Sequence, residues 1–202
     1  MVGEFGAVKG NARIRWGLTS QKLRSNLHKF AILNMGSAEN IIKGKLAESL
    51  VEQMLKASGC RVYRLGSEAM LENIVQLEDE FSKDSNLGKK IASIPDFVVM
   101  GNREKPVFVE VKFRTDPESL EEELLLEKDS LEKFWEAKII LATVKEKPYF
   151  RVLTPPYFSK ERRDGWPIPV SNWKPLKDDP DIGAGQEVIS KFEELAKKYY
   201  AK

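Results

Sequence analysis

The chain has 202 residues, 42% hydrophobic and 32% charged, which is enough for one buried domain with terminal additions. Its 33 basic and 31 acidic residues leave a formal net charge of +2, so overall charge names no partner. With no apolar run near the roughly 18 residues of a membrane span and no signal-peptide core, a cytoplasmic protein is expected.

Positive charge is concentrated in residues 1–38, where Lys9, Arg13, Arg15, Lys22, Arg24 and Lys29 stand against Glu4 alone. An anionic partner could be met by this arm; it could equally be a solvated leader or an exposed first helix. Within it, "LTSQKLRSNLHKFAILNMG" predicts a short helix that Gly36 ends. From an N-cap at Ser37, the next segment sets Ile42, Leu46, Leu50 and Met54 on one stripe and Ile41, Val51 and Leu55 on a second. That pattern predicts a largely buried helix ending at Gly59. "CRVYRL" reads as a strand, and residues 66–94 as an inserted helix and polar loop. "SIPDFVVM" and "PVFVEVKFR", joined by the charged turn "GNREK", predict an antiparallel hairpin.

After Pro117, "ESLEEELLLEKDSLEKFWEAK" predicts an amphipathic helix with Leu120, Leu124, Leu131, Phe134 and Trp135 on its apolar face. "IILATV" and "YFRVL" follow as two strands around a Lys145–Pro148 turn. Pro155, Pro156, Pro167, Pro169, Pro175 and Pro180 exclude long regular elements and predict an extended wrap anchored by Trp166 and Trp173. The closing "GQEVISKFEELAKKYYAK" predicts a helix with Val188, Phe192, Leu195 and Tyr199 inward. This order gives an α/β fold, a mixed central sheet flanked by helices. The core spans 39–154 between the basic arm (1–38) and a Pro-rich extension with its helix (155–202).

Cys60 is the only cysteine, so no intrachain disulfide can form, and His28 is the only histidine. Zinc sites and most nucleophilic triads need those residue types, so a catalytic metal must sit on oxygens, which favours magnesium or manganese. Residues two apart on a strand share a face, so Glu110 and Lys112 emerge together while Val109, Val111 and Phe113 face the other way. An isolated E-x-K triplet is ordinarily a surface salt bridge. Here it lies one strand after Asp96, in two strongly apolar segments, behind a helix carrying Glu48. Burying such charges costs several kcal/mol each unless they are paired or hold a cation.

The segments "KGKLAESLVEQMLKASG", "IPD" and "VEVK" resemble the first helix, the acid strand and the E-x-K strand of the PD-(D/E)XK nuclease superfamily. This restriction-endonuclease-like group includes Holliday junction resolvases. The resemblance spans roughly residues 41–152 and implies that Asp96, Glu110 and the Val111 carbonyl ligate a magnesium ion, with manganese as substitute. It also implies that Lys112 orients or activates the attacking water and that Glu48, from the helix, supports the ligands of this metal or contacts a second one; as an exposed helix glutamate, Glu48 would do neither. The Gln-x-x-x-Tyr motif of RecB-like members is missing, and the helix after the E-x-K strand is too acidic to contact phosphates by itself.

The expected activity is a metal-dependent DNA endonuclease, with RNA a less favoured substrate and a homodimer expected from the family. Lys89, Lys90, Arg114, Arg13, Arg15, Lys22 and Arg24 are the expected nucleic-acid contacts. Trp16 could stack on a base or anchor the arm. The competing reading is a noncatalytic nucleic-acid-binding or assembly protein on the same scaffold. A phosphate-loop hydrolase is excluded, because "IIKGKLAES" lacks the spaced glycine and the Lys-Ser/Thr pair.

Overall fold

A strand with apolar residues at alternate positions needs cover on one face, and a strand that is apolar throughout needs cover on both. Both kinds occur here. The structure, a computed structural model, describes residues 20–65, 90–91, 93–101, 103–126, 131–158 and 166–200; for 20–37, 122 and 126 it describes the backbone alone. The chain divides into two compact units, Met1–Asn40 and Ile41–Lys202, and the sheet lies in the second.

The elements are α1 (Ser20–Ala57), β1 (Arg61–Arg64), β2 (Phe97–Met100), β3 (Pro106–Phe113), α2 (Ser119–Leu126) and α3 (Leu131–Trp135). They continue with β4 (Lys138–Ala142), β5 (Phe150–Leu153), β6 (Lys174–Pro175) and α4 (Gln186–Tyr200). All six strands form one sheet in sequence order. The pair β3–β4 is parallel, joined through α2 and α3, and every other neighbouring pair is antiparallel. The α/β architecture read from the sequence is therefore present as a mixed sheet packed with helices.

Central β4 and β5 are buried at every position, as their largely apolar sequences require, and their two buried charges, Lys138 and Arg151, are met by Asp179 and Glu146. On one face, Phe97, Val99, Val109, Val111 and Phe113 pack with Ala47, Val51, Met54 and Leu55 of α1 and with Ile189 and Ala196 of α4. On the other, Ile139 and Leu141 meet Leu120 and Leu124 of α2, Leu131 of α3 and Trp173 of the C-terminal wrap. Asp179 fixes that wrap: one carboxylate oxygen accepts the N–H groups of Asp181 and Ile182, each at 3.0 Å, and the other accepts Lys138 Nζ at 2.6 Å. Cys60 is buried and donates to the Ile182 carbonyl at 3.2 Å.

Several local expectations are corrected. Helix α1 runs through Gly36 and Ser37, because one glycine weakens a helix by about 1 kcal/mol without ending it when helix formers continue beyond. Ile41 and Ile42 are 61% and 66% exposed, and burial on this helix starts at Ala47. The segment after β3 is helical over Ser119–Leu126 and Leu131–Trp135, and residues 127–130 lie outside the described residues. Trp173 anchors the wrap, its indole N–H donating to the Ile168 carbonyl at 2.9 Å, whereas Trp166 is 42% exposed. On α4, Val188, Phe192 and Leu195 pack against the core as expected, but Tyr199 is exposed and the most buried positions are Ile189, Glu193, Ala196 and Tyr200. Glu193 turns inward because its carboxylate accepts the Tyr149 N–H at 3.0 Å.

Candidate active site

Strand β3 outruns β2. Their pairing runs from Pro106 opposite Met100 to Val109 opposite Phe97, while β3 stays paired with β4 as far as Phe113. Asp96 stands at the fork where β2 begins. Its backbone carbonyl accepts the Leu65 N–H at 2.9 Å, extending the β1–β2 ladder, and its side-chain Oδ2 accepts the Val111 N–H at 2.8 Å. A carboxylate thus takes the place that a longer β2 would have filled. Pro95, which has no N–H to give, precedes it where the ladder stops. On a strand, a residue's N–H and C=O face the same neighbour, so the Val111 carbonyl also opens toward the Asp96 side.

Glu110 and Lys112 leave β3 on the face opposite Val109, Val111 and Phe113, as the period-two pattern requires. Lys112 Nζ lies 3.2 Å from Glu110 Oε1 and 3.1 Å from Glu123 Oε1 of α2. The three side chains are 14%, 16% and 26% exposed in that order, so this is a half-buried ion cluster rather than a surface pair.

Burial pushes the Asp96 carboxyl up to about 6, and the negative charge of Glu48 pushes in the same direction. The Val111 N–H, Lys112 and Lys45 oppose the shift. Glu48 and Lys112 therefore both act on Asp96, from α1 and β3 respectively. Glu48 is 15% exposed at its side chain and pairs with Lys45 at 3.2 Å, so it is no solvated helix glutamate. One turn on, Glu52 accepts Arg64 Nε and Nη2 at 2.8 and 2.5 Å, and the arginine hydrogen bond holds the Glu52 carboxyl below its usual range. Arg64 also lies over the Phe97 ring, 5.5 Å from its centre, and feels the charges of Glu48 and Asp96.

Asp96 thus meets Val111 through a hydrogen bond and Glu48 and Lys112 through their charges, and Glu110 joins this set through its ion pair with Lys112. Lys45, Arg64 and Glu123 belong to the same surroundings and were missed from sequence. For Lys45 the signal was its helical spacing from Glu48; for Arg64 it was a place at the end of β1, next to the residue that pairs with Asp96. Glu123 gave none, since only the packing of α2 brings it to β3.

Of the expected nucleic-acid contacts, Lys90 is exposed, with its ammonium 5.8 Å from the centre of the Trp135 ring. Trp135 in turn meets Phe108 edge-on at 5.3 Å, on the face of β3 that carries Glu110. Arg114 forms an ion pair with Glu123 and donates to the Phe113 carbonyl at 2.6 Å. Lys89, Arg13 and Arg15 lie outside the described residues, as do the side chains of Lys22 and Arg24, which fall in α1.

Among the described residues, no group of three or more acidic, histidine or cysteine side chains forms a metal cluster. The oxygen donors available to a hard dication are Asp96, Glu110 and the Val111 carbonyl. Their chemistry fits magnesium or manganese, which take carboxylate and carbonyl oxygens and keep several waters. Asp96 fits in a second way: its carboxylate is held up by burial, a condition that a bound cation relieves. No family model matches the chain, and no curated protein or solved structure matches it significantly.

Proposed function

We propose that the chain is a metal-dependent endonuclease of the PD-(D/E)XK type that hydrolyses DNA phosphodiester bonds, on a restriction-endonuclease-like core. The hydrogen bond from Val111 N–H to Asp96 Oδ2 at 2.8 Å carries the reading, because it joins the acid of "IPD" to the strand of "VEVK". The strand order supports it as well: three antiparallel strands, a helical crossover, then a parallel strand beside the E-x-K strand.

Asp96, Glu110 and the Val111 carbonyl would hold magnesium, whose bound water is more acidic and whose charge offsets that of the phosphate. Lys112, beside Glu110, presents N–H donors to the attacking water or to a phosphate oxygen. Glu48 adds negative potential from the α1 side and favours a cation at Asp96. Because the cluster is half-buried, these fixed charges act through less water than surface groups would.

Purified protein with magnesium is expected to nick or cut DNA, and Asp96→Ala and Lys112→Ala to bind DNA without cutting it. Equal cutting by all three proteins would trace the activity to a contaminant and end the proposal. A noncatalytic DNA-binding role draws support from one observation, that Lys112 is already shared by Glu110 and Glu123. A manganese titration separates the two readings: the nuclease shows a site lost in Asp96→Ala, the binding protein a flat trace with or without DNA.

A further inference from the structure

We propose that Glu123 is the positioning residue of this site, holding Lys112 at a fixed place beside Glu110 so that a dication and the ammonium can occupy the cluster together. The inference rests on the nuclease reading above. Glu123 reaches Lys112 Nζ through Oε1 at 3.1 Å and meets the Arg114 guanidinium through Oε2, so one carboxylate spans two cations spaced two apart on β3. Lys112 Nζ is nearly equidistant from Glu123 and Glu110, at 3.1 and 3.2 Å.

Glu123 is itself firmly placed. Its neighbours Leu120 and Leu124 are fully buried against the sheet, and Glu121 of the same helix accepts the Val170 N–H at 3.0 Å. The start of α2 is tied by Ser119 Oγ donating to the Asp116 carbonyl at 2.7 Å. A carboxylate on so well-packed a helix can set the ammonium of a long, flexible lysine.

A dication drawn to Glu110 competes with the Lys112 ammonium for the same oxygen, and the two cations repel. Glu123 gives the ammonium a second acceptor, so Glu110 can turn to the metal while Lys112 stays close. Removing Glu123 takes away one of the ammonium's acceptors and leaves more of its charge on Glu110, against the metal.

Calorimetric titration of the metal-free full chain with manganese tests this. Wild type should bind, Asp96→Ala should not, and Glu123→Ala should bind about tenfold or more weakly, the usual cost of losing a residue that orients a ligand. Adding Lys112→Met to Glu123→Ala should restore affinity, which a general loss of packing would not do. In cleavage, Glu123→Ala should lower kcat by about 10–100-fold with KM for DNA little changed, whereas Glu121→Gln should leave kcat alone. Should Glu123→Ala fail to fold, the isosteric Glu123→Gln takes its place.

Unchanged manganese affinity and kcat in the Glu123 variant, with Asp96→Ala still abolishing binding, would overturn the inference and spare the nuclease reading. Tighter binding or faster cleavage would overturn it too, making Glu123 an inhibitory occupant of a phosphate position. A flat wild-type titration would remove both.

Discussion

Two ion clusters on the same sheet use the same ingredients and behave in opposite ways. At the start of β4, buried Lys138 meets Asp179 at 2.6 Å and Asp181 at 2.7 Å, and Arg103 meets Asp181 at 3.0 Å. Asp179 also accepts two backbone N–H groups, and the hydrogen bond from Lys138 holds the Asp181 carboxyl below its ordinary range. At the β2–β3 fork, the only N–H that Asp96 accepts at its side chain among the described residues is that of Val111, and its carboxyl is pushed up to about 6. The first cluster is complete and ties the wrap to the sheet. In the second, burial and the Glu48 charge outweigh the Val111 N–H, Lys112 and Lys45, and a carboxyl raised in this way is suited to a cation or to proton chemistry.

This difference can be tested, beginning with the complete cluster. Lys138→Met should destabilise the protein by about 3–5 kcal/mol in urea titrations, because it leaves Asp179 charged, buried and without its cation. If it costs less than about 1 kcal/mol, the β4 cluster is not the structural tie described here. In the second cluster the effect should fall on chemistry: Lys112→Ala should lower cleavage by about 10²–10⁴-fold while the urea midpoint moves little.

The third test uses pH. Asp96 has a folded value of about 6 against an ordinary 3.8, so the folded state binds the proton more tightly than the unfolded state. Its contribution is fully present below about pH 4 and is lost as pH rises through about 6, a change of roughly 2–3 kcal/mol. Asp96→Asn should remove that slope and leave the metal-free protein more stable than wild type at pH 8. Asp181 has the opposite sign, stabilising above its ordinary 3.8 and losing that contribution as pH falls through its depressed value. Equal slopes in wild type and Asp96→Asn would show that the fork carboxylate is not strained by burial.

The smallest effect expected is at the seam of the wrap. A Cβ on Gly101 would run into the backbone carbonyl oxygens of Asp181 and Ile182. Gly101→Ala should cost about 1–3 kcal/mol and lower the melting temperature with little effect on manganese affinity.

Much of this molecule is legible along the chain. The hairpin of β2 and β3 follows from two apolar runs around a charged turn, and β4 and β5 from runs buried on both faces. Helix orientation and ends are less legible. Gly36 and Ser37 carry stop and start signals that α1 passes through, and the apolar residues of α4 hide the fact that Glu193 points inward to serve Tyr149. Residues 174–175 form a sixth strand inside a proline-rich segment that by composition belongs to no sheet, because β5 offers an edge. Each of these outcomes depends on a partner distant in sequence, which no local pattern contains.

The same division holds at the site. By itself the sequence determined that Glu110 and Lys112 share a face, because side chains alternate along a strand, and that a metal would have to rest on oxygens, because Cys60 and His28 are alone of their kinds. Only the tertiary structure decided that Asp96 reaches the Val111 amide, that Glu48 comes near enough to act on it, and that Glu123 shares Lys112. Those outcomes depend on strand register, on where β2 stops and on how α2 packs, and the proton affinity of a carboxylate follows from the burial and charges they bring together.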